Sequence, residues 1–219
     1  MVRGGHRFPQ ARIESRYGVK KVAVLIAVSA ALVLSGCGRV ASAVDMEGTS
    51  ISETTVQSSI DAILAERTKV DTSGMQLSTG DTLNRAQVRF FIIATIFDEL
   101  AKELKIDVTP TEILTRKQDI YTQIGGQEQL PTALVGAQIA PQDLDTYLRA
   151  TIISDKLTQG LIASGVSDAE AGQKLSDLVV KKAESLKIEV NPRYGKWDYQ
   201  IGDVVAATPA QDAVTTPTK

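Results

Sequence analysis

The apolar stretch between Thr82 and Lys105 is the longest in the chain with helical spacing, and it favours a fold built around one central helix. At 100° per residue, its large apolar side chains fall within about a 180° arc, so the helix can face several packing partners. These side chains belong to Phe90, Ile92, Ile93, Ile96, Phe97, Leu100, Ala101 and Leu104. We therefore expect a mainly α-helical domain with this helix in its core.

One aromatic side chain of this helix, Phe91, falls outside the arc, on a side shared with charged residues. Such a residue is either covered by another segment or left exposed for a partner. If it is exposed, an unfolded polypeptide could contact it together with other adaptable side chains. We therefore predict a peptide-binding surface at Phe91, Val88, Tyr147 and Met75. The alternative is that Phe91 packs under the N-terminal helix.

Local signals predict the elements before the central helix. The segment from Val44 to Ile51 alternates weakly around Glu47-Gly48, which indicates a strand with a turn. Ser52 can cap a following helix that should fade near Lys69. Residues 70–81, rich in Ser, Thr, Gly and Asp, have the composition of a mobile loop.

The elements after the central helix have clearer boundaries. Thr109-Pro110-Thr111-Glu112 has the pattern of a capping box with Pro at the first helical position, and Gly125-Gly126 should end that helix. A short helix around residues 132–135 and another from Pro141 should follow. The pattern of Ser167-Asp168-Ala169-Glu170 predicts a further capped helix that ends near residue 187.

A short strand is predicted at the end of the domain, because Ile188 and Val190 alternate with Glu189. A lone strand leaves its backbone groups unpaired, so we expect this strand to pair with the first one. Residues 193–198 look like a turn with aromatic anchors. From Gly202 onward the composition shifts to Ala, Thr, Pro, Val and Gln, which predicts a disordered tail.

The front of the chain has the layout of an export signal. A basic segment precedes the apolar run from Val22 to Leu34, which is too short to span a ~30 Å hydrocarbon core. The motif Leu34-Ser35-Gly36-Cys37 closes the run and contains the only cysteine of the chain. It resembles the lipobox of bacterial lipoproteins, in which the cysteine thiol receives a diacylglycerol and the chain is cut just before it. The alternative is an ordinary buried cysteine.

The lipobox resemblance implies a signal peptide at residues 1–36 and a lipid on Cys37. It also implies anchoring to the extracytoplasmic face of a bacterial cell membrane. Residues 1–36 hold six of the 24 Lys and Arg and one of the 26 Asp and Glu, so the remaining chain carries a net charge of −7. That balance argues against a nucleic-acid partner.

The chemistry of the mature chain is limited by what it lacks. Its only histidine, His6, lies in the predicted signal, and its only cysteine is the predicted lipid site. Zinc or copper sites of the usual Cys/His type and His-dependent nucleophilic catalysis are therefore excluded. The sequence has no GxxxxGK[ST] motif and no GxGxxG motif after a strand, so nucleotide binding has no support. We expect no cofactor, no metal and no enzymatic activity, although paired carboxylates could still do acid–base work.

The order of these elements resembles a known module. A strand with a Gly turn, a helix and a long apolar helix lead through Lys105-Ile106-Asp107-Val108 into the capped helix at Thr109. The later stretch from Ile139 to Arg149 ends in a Tyr/Arg pattern. Over about residues 43–165 the chain is similar to the N-terminal chaperone domain of the SurA family, which PrsA foldases and, more distantly, trigger factor share. In SurA and PrsA a parvulin isomerase domain with histidines follows, whereas here the remaining chain is too short and has no histidine.

The SurA-type resemblance implies a lipid-anchored, chaperone-like protein that binds unfolded or newly exported polypeptides without catalysis. Two alternatives stay open, a structural or adaptor lipoprotein that binds a specific envelope partner, and a peptidyl-prolyl isomerase. The expected organisation is a signal peptide at residues 1–36, a lipidated tether at 37–42, a helical domain at 43–201 and a disordered tail at 202–219.

Overall fold

The computed structural model describes residues 41–207. The predicted signal peptide, the lipobox and residues 208–219 of the predicted tail lie outside this range. Strands β1 (Ser42–Met46) and β2 (Thr49–Ser52) form an antiparallel hairpin. Its turn contains Gly48 at a φ of 77°, a left-handed conformation that glycine adopts without steric cost. The predicted strand with a Gly turn is therefore a two-stranded hairpin.

Helices make up most of the domain and confirm the prediction of a mainly α-helical fold. They are α1 (Glu53–Arg67), α2 (Gly80–Leu104), α3 (Pro110–Ile124), α4 (Leu130–Ala137), α5 (Leu144–Ala163) and α6 (Asp168–Ser185). Short 3₁₀ turns at Gln127–Gln129 and Pro141–Asp143 lead into α4 and α5. Within residues 41–207, none of the helices combines the length and the hydropathy that a membrane span needs.

The helices begin where local capping signals place them. The hydroxyl of Ser52 accepts a hydrogen bond from Thr55 N at 3.0 Å and caps α1. At the start of α3, Thr109 Oγ1 accepts from Glu112 N, and the Glu112 carboxylate accepts from Thr109 N at 2.8 Å. This is the predicted capping box, and it satisfies two backbone donors that the first helical turn leaves free. Gly125, at a φ of 89°, ends α3.

The second predicted capping box forms only in part. Ser167 is the N-cap of α6, but its hydroxyl donates to the Glu170 carboxylate at 2.6 Å and makes no hydrogen bond with a backbone N–H of the helix. The sequence pattern placed the helix start correctly. The Ser167 hydroxyl can rotate, and it donates to the charged Glu170 carboxylate, because a hydrogen bond to an ionised acceptor is stronger than one between neutral groups.

The N-terminal strand pairs with the strand predicted at residues 188–190, as expected. Strand β3 (Glu189–Val190) lies antiparallel to β1, with Val190 opposite Val44, and gives a sheet with the order β2-β1-β3. Because β1 is the central strand, it has a hydrogen-bonded neighbour on each edge. The start of the domain and the segment after α6 are therefore fixed to each other.

A second hairpin follows, and it corrects the predicted boundary of the domain at residue 201. Strands β4 (Lys196–Asp198) and β5 (Asp203–Val205) pair antiparallel, with Trp197 opposite Val204. Both of these side chains are buried, as is Tyr194 just before them. The composition after Gly202 did not indicate this strand, because β5 is held by a single apolar pair across the hairpin, which leaves little pattern in the sequence.

The main core surrounds α2, whose Ile92 and Ile96 are fully buried. Apolar side chains from β1, α1, α5, α6 and the β4–β5 hairpin also belong to this core. A smaller cluster joins Leu134, Leu144 and Leu148 to half-buried residues of α3. Helix α3 has no buried residue of its own, so it lies on the outside of the domain.

Candidate functional site: a groove between α2 and α5

A partly open groove of about 410 Å³ runs between α2 and α5, next to the end of α4. From α2 it is lined by Phe90, Ile93 and Phe97, which we call the α2 stripe, and from α5 by Tyr147 and Ala150. Clefts of ~300–1,000 Å³ with mostly apolar walls are the usual form of ligand sites in proteins. The groove is therefore the candidate functional site.

The groove exists because the two helices present side chains of different size. On α2, the stripe residues stand three and four positions apart and share one face. Facing them, α5 presents Ala150, Thr151 and Ser154 beside Tyr147. These small side chains do not fill the space that the α2 stripe leaves open, so the stripe remains half-buried.

This arrangement corrects our assignment of the α2 arc to the core. Ile92, Ile96, Leu100 and Ala101 are buried as expected, but the α2 stripe on one side of the arc lines the groove. Leu104, at the C-terminal end of α2, is 49% exposed. The apolar arc of α2 is wider than the surface that the neighbouring elements cover.

One end of the groove is closed by a chain of amides. Gln87, only 3% exposed, accepts a hydrogen bond from Ser59 Oγ at 2.9 Å and donates to the Gln138 carbonyl oxygen at 3.0 Å. The Gln138 side-chain oxygen in turn accepts from Ser78 N at 2.9 Å and from the Arg67 guanidinium at 3.3 Å. These bonds tie α1, α2, the end of α4 and the segment before α2 together. The polar end of the groove is thus held in place before any ligand binds.

The segment before α2, predicted as a mobile loop at 70–81, has no regular secondary structure between residues 70 and 79. Its last two predicted residues, Gly80 and Asp81, belong to α2. Arg67 donates to the Ser78 carbonyl oxygen at 2.9 Å, which holds the end of the segment against α1.

Charged groups stand at the rim of the groove. Arg89 pairs with Asp203 at 3.5 Å, and Asp155 pairs with Arg116 at 2.6 Å. All four side chains are substantially exposed, so these pairs add little to stability. An apolar centre with a polar rim is the layout of protein recognition surfaces.

One acidic group near the amide chain has a shifted pKa. Burial raises the pKa of Asp143, and the Ser59 hydroxyl nearby partly opposes this shift. Asp143 does not line the groove. Within the described residues, no group of three or more His, Cys, Asp and Glu could hold a metal ion.

The structure brings only one of the four predicted peptide-binding residues to the groove. Tyr147 lines it and is 37% exposed. Val88 is 0% exposed, so a polypeptide cannot contact it, and we withdraw it as a binding residue. Phe91 is half-buried, packs against the main core and makes an edge-on contact with Phe90 at 4.9 Å between ring centroids. Met75 is half-buried in the segment before α2 and is absent from the groove lining.

The residues that sequence reasoning missed are those of the α2 stripe. A signal was present, because Phe90 and Phe97 stand seven residues apart with Ile93 between them, within an arc wider than one partner can cover. The small side chains of Ala150, Thr151 and Ser154 on α5 gave no signal in the sequence, because Ala, Thr and Ser are common on solvent-facing helix surfaces.

Comparisons with protein-family models, with curated proteins and with solved structures gave no match for this chain. The SurA-type resemblance and the lipobox at Leu34-Ser35-Gly36-Cys37 therefore stay predictions from the sequence.

Proposed function

We propose that this protein is a lipid-anchored, extracytoplasmic, chaperone-like protein that binds unfolded or newly exported polypeptides without catalysis. The observation that carries the proposal is the groove, in which the α2 stripe and Tyr147 keep apolar surface accessible between α2 and α5. Unfolded chains expose the apolar side chains that such a surface can bury.

The size of the groove favours weak and reversible binding. Burial of one large aliphatic or aromatic side chain contributes about 1.5–3 kcal/mol. A groove of 410 Å³ seats only a few such side chains, and part of their contribution is offset by ordering the bound segment. The partly open shape lets a segment enter and leave without a large movement of the helices. A holding chaperone needs this kind of exchange.

The hydrogen-bonded end of the groove and its aromatic walls contribute differently to this function. The amide chain through Gln87 and Gln138 fixes one end of the α2 wall to α1 and to the end of α4. The half-buried rings of Phe90 and Phe97 and the exposed ring of Tyr147 offer large apolar contact areas, and aromatic rings bind apolar groups with little loss of conformational entropy. One site can then accept segments of different sequence.

The proposal is tested by filling the groove. Ala150→Trp places a large ring from α5 into the space opposite the α2 stripe, and we expect it to abolish suppression of aggregation of two unrelated unfolded proteins in light scattering. Ala163→Trp is the matched control, because Ala163 is exposed on the same helix and does not line the groove. Equal suppression by both variants would contradict the proposal. Suppression that is limited to one specific partner would instead support an adaptor.

The proposed absence of catalysis has its own test. In a proline-limited refolding assay, we expect the protein to leave the uncatalysed rate unchanged, with a time constant of roughly tens to hundreds of seconds at 25 °C. A dose-dependent acceleration that Ala150→Trp removes would show that the groove is an isomerase site.

A further inference from the structure

A second pocket, of about 310 Å³, lies between α3 and α5 and adjoins the groove. We call it the α3–α5 pocket. Asp155 lines both the groove and this pocket, so the two cavities meet at its side chain. A polypeptide segment that is bound in the groove can therefore continue past Asp155 into the α3–α5 pocket.

The two cavities use neighbouring faces of α5. The groove is lined by Tyr147, Ala150, Thr151 and Ser154, and the α3–α5 pocket by Ile152, Lys156 and Gln159. At 100° per residue, the two faces are about 120° apart around the helix, with Asp155 between them. With a helix diameter of ~10–12 Å, a path from Ala150 to Gln159 around this turn is about 18 Å long. About five or six residues of extended chain cover that distance.

The charges of the α3–α5 pocket favour a cationic ligand group. Its lining includes three carboxylates and two cationic side chains, which gives a net charge of −1. Glu112 pairs with Lys156 at 2.5 Å, and Asp155 pairs with Arg116 at 2.6 Å. Asp119 is exposed and forms no ion pair within residues 41–207. Its carboxylate is therefore the group in this pocket whose charge a ligand can still neutralise.

The pocket also offers apolar surface beside this carboxylate. Ile152, which is only 5% exposed, belongs to its lining. Lys and Arg side chains lay their aliphatic stems along apolar surface and keep the charged head in water or on an acidic partner. The net charge of −7 on the chain after residue 36 further attracts basic ligands over longer distances. A Lys or Arg side chain therefore fits the α3–α5 pocket better than an acidic one.

We propose that the groove and the α3–α5 pocket together select polypeptide segments in which apolar side chains stand within about six residues of a Lys or Arg. The apolar side chains occupy the groove, and the cation is received by Asp119. This inference deepens the proposed function and rests on its groove. Because exposed ion pairs contribute little, we expect the cation to improve the affinity by only about two- to fivefold. The pocket thus determines which segments are preferred, and the groove supplies most of the affinity.

The test compares two fluorescein-labelled peptides that share the core Leu-Phe-Leu-Phe. The Lys peptide has two Lys at each end, separated from the core by about three Gly or Ser residues that span roughly 10 Å when extended. The Ser peptide has Ser in place of each Lys. At low salt, we expect the wild type to bind the Lys peptide about two- to fivefold more tightly than the Ser peptide. The difference should vanish at about 1 M salt, where the Debye length is ~3 Å.

Two variants of the full chain locate the source of this difference. Asp119→Asn should remove most of the advantage of the Lys peptide and leave the affinity for the Ser peptide unchanged. Asp177→Asn is the matched control, because Asp177 is an exposed acid in the middle of α6 and lines neither cavity. It removes the same charge from the domain and should keep the full advantage of the Lys peptide.

The outcomes separate this inference from the proposed function. If the Ser peptide binds and the Lys peptide binds no better, the inference is wrong and the proposed function stands. An advantage that Asp119→Asn leaves intact, or that both variants reduce equally, would also overturn the inference. If only the Lys peptide binds, and Asp119→Asn abolishes its binding, the α3–α5 pocket holds the cation and the proposed role of the groove fails. If neither peptide binds, both are wrong.

Discussion

At the scale of single residues, the position of Phe91 shows how an aromatic side chain outside the main apolar arc can still serve the core. Its ring packs against the main core and against Phe90, and it does not line the groove. Removing a fully buried Phe side chain costs about 3–5 kcal/mol. A half-buried ring loses correspondingly less.

We therefore expect Phe91→Ala to lower the free energy of unfolding by about 2 kcal/mol in urea titrations and to leave aggregation suppression intact in the cold. Leu104→Ala is the control on the same helix, because the Leu104 side chain is largely exposed. It should change stability by about 0.5 kcal/mol or less. A Phe91→Ala variant with unchanged stability and lost suppression would return Phe91 to the binding surface.

The Glu112 carboxylate makes two kinds of interaction at the start of α3, a capping hydrogen bond and an ion pair. The ammonium of Lys156 and the backbone N–H of Thr109 donate to its carboxylate and lower its pKa from 4.5 to about 2. A depressed carboxyl pKa contributes stability that is present above pH 4.5 and is lost as the pH falls towards 2. The unfolding midpoint of the wild type should therefore drop across this window, and Glu112→Gln should flatten that part of the curve. An unchanged pH profile in Glu112→Gln would contradict this role.

At the scale of elements, helix boundaries were predictable where a local signal sets them. The caps at Ser52 and Thr109 and the stop at Gly125 depend on residues within one turn, so the sequence pattern is sufficient. The groove was not predictable in this way. Whether the α2 stripe is covered depends on the small side chains of α5, which stand more than 50 residues later in the chain. Pairing of β1 with β3 was predictable because backbone N–H and C=O groups need hydrogen-bond partners.

The β4–β5 hairpin depends on a close backbone approach at Gly195. Gly195 has a φ of 131°, and a Cβ atom there would stand 2.1 Å from the Val205 carbonyl oxygen. Gly195→Ala should therefore combine backbone strain with a steric clash and cost about 3 kcal/mol of stability. Gly202→Ala is the matched control, because Gly202 also has a positive φ but has open space around its Cβ position. It should cost only about 1 kcal/mol. Equal effects in thermal unfolding would contradict the close approach of the two strands.

At the scale of the whole molecule, we expect the domain to stay close to a membrane through one lipid. The predicted attachment point, Cys37, precedes the first residue of β1 by five positions, so the tether is short, at most about 18 Å when extended. In detergent phase partitioning, the wild type should enter the detergent phase. Cys37→Ser should lose the lipid and shift towards the aqueous phase. If both partition in the same way, the lipobox interpretation is wrong.

The central claim is that the groove between α2 and α5 holds polypeptide segments, and site-specific photocrosslinking tests it most directly. A benzophenone-bearing phenylalanine in place of Tyr147 puts the reactive group in the groove. The same residue in place of Leu114, which is 59% exposed on α3 and does not line the groove, serves as the control. We predict crosslinks to an unfolded polypeptide from position 147, lost when Ala150→Trp fills the groove, and few or none from position 114. Equal crosslinking from the two positions, or crosslinking from 147 that Ala150→Trp leaves unchanged, would contradict the account.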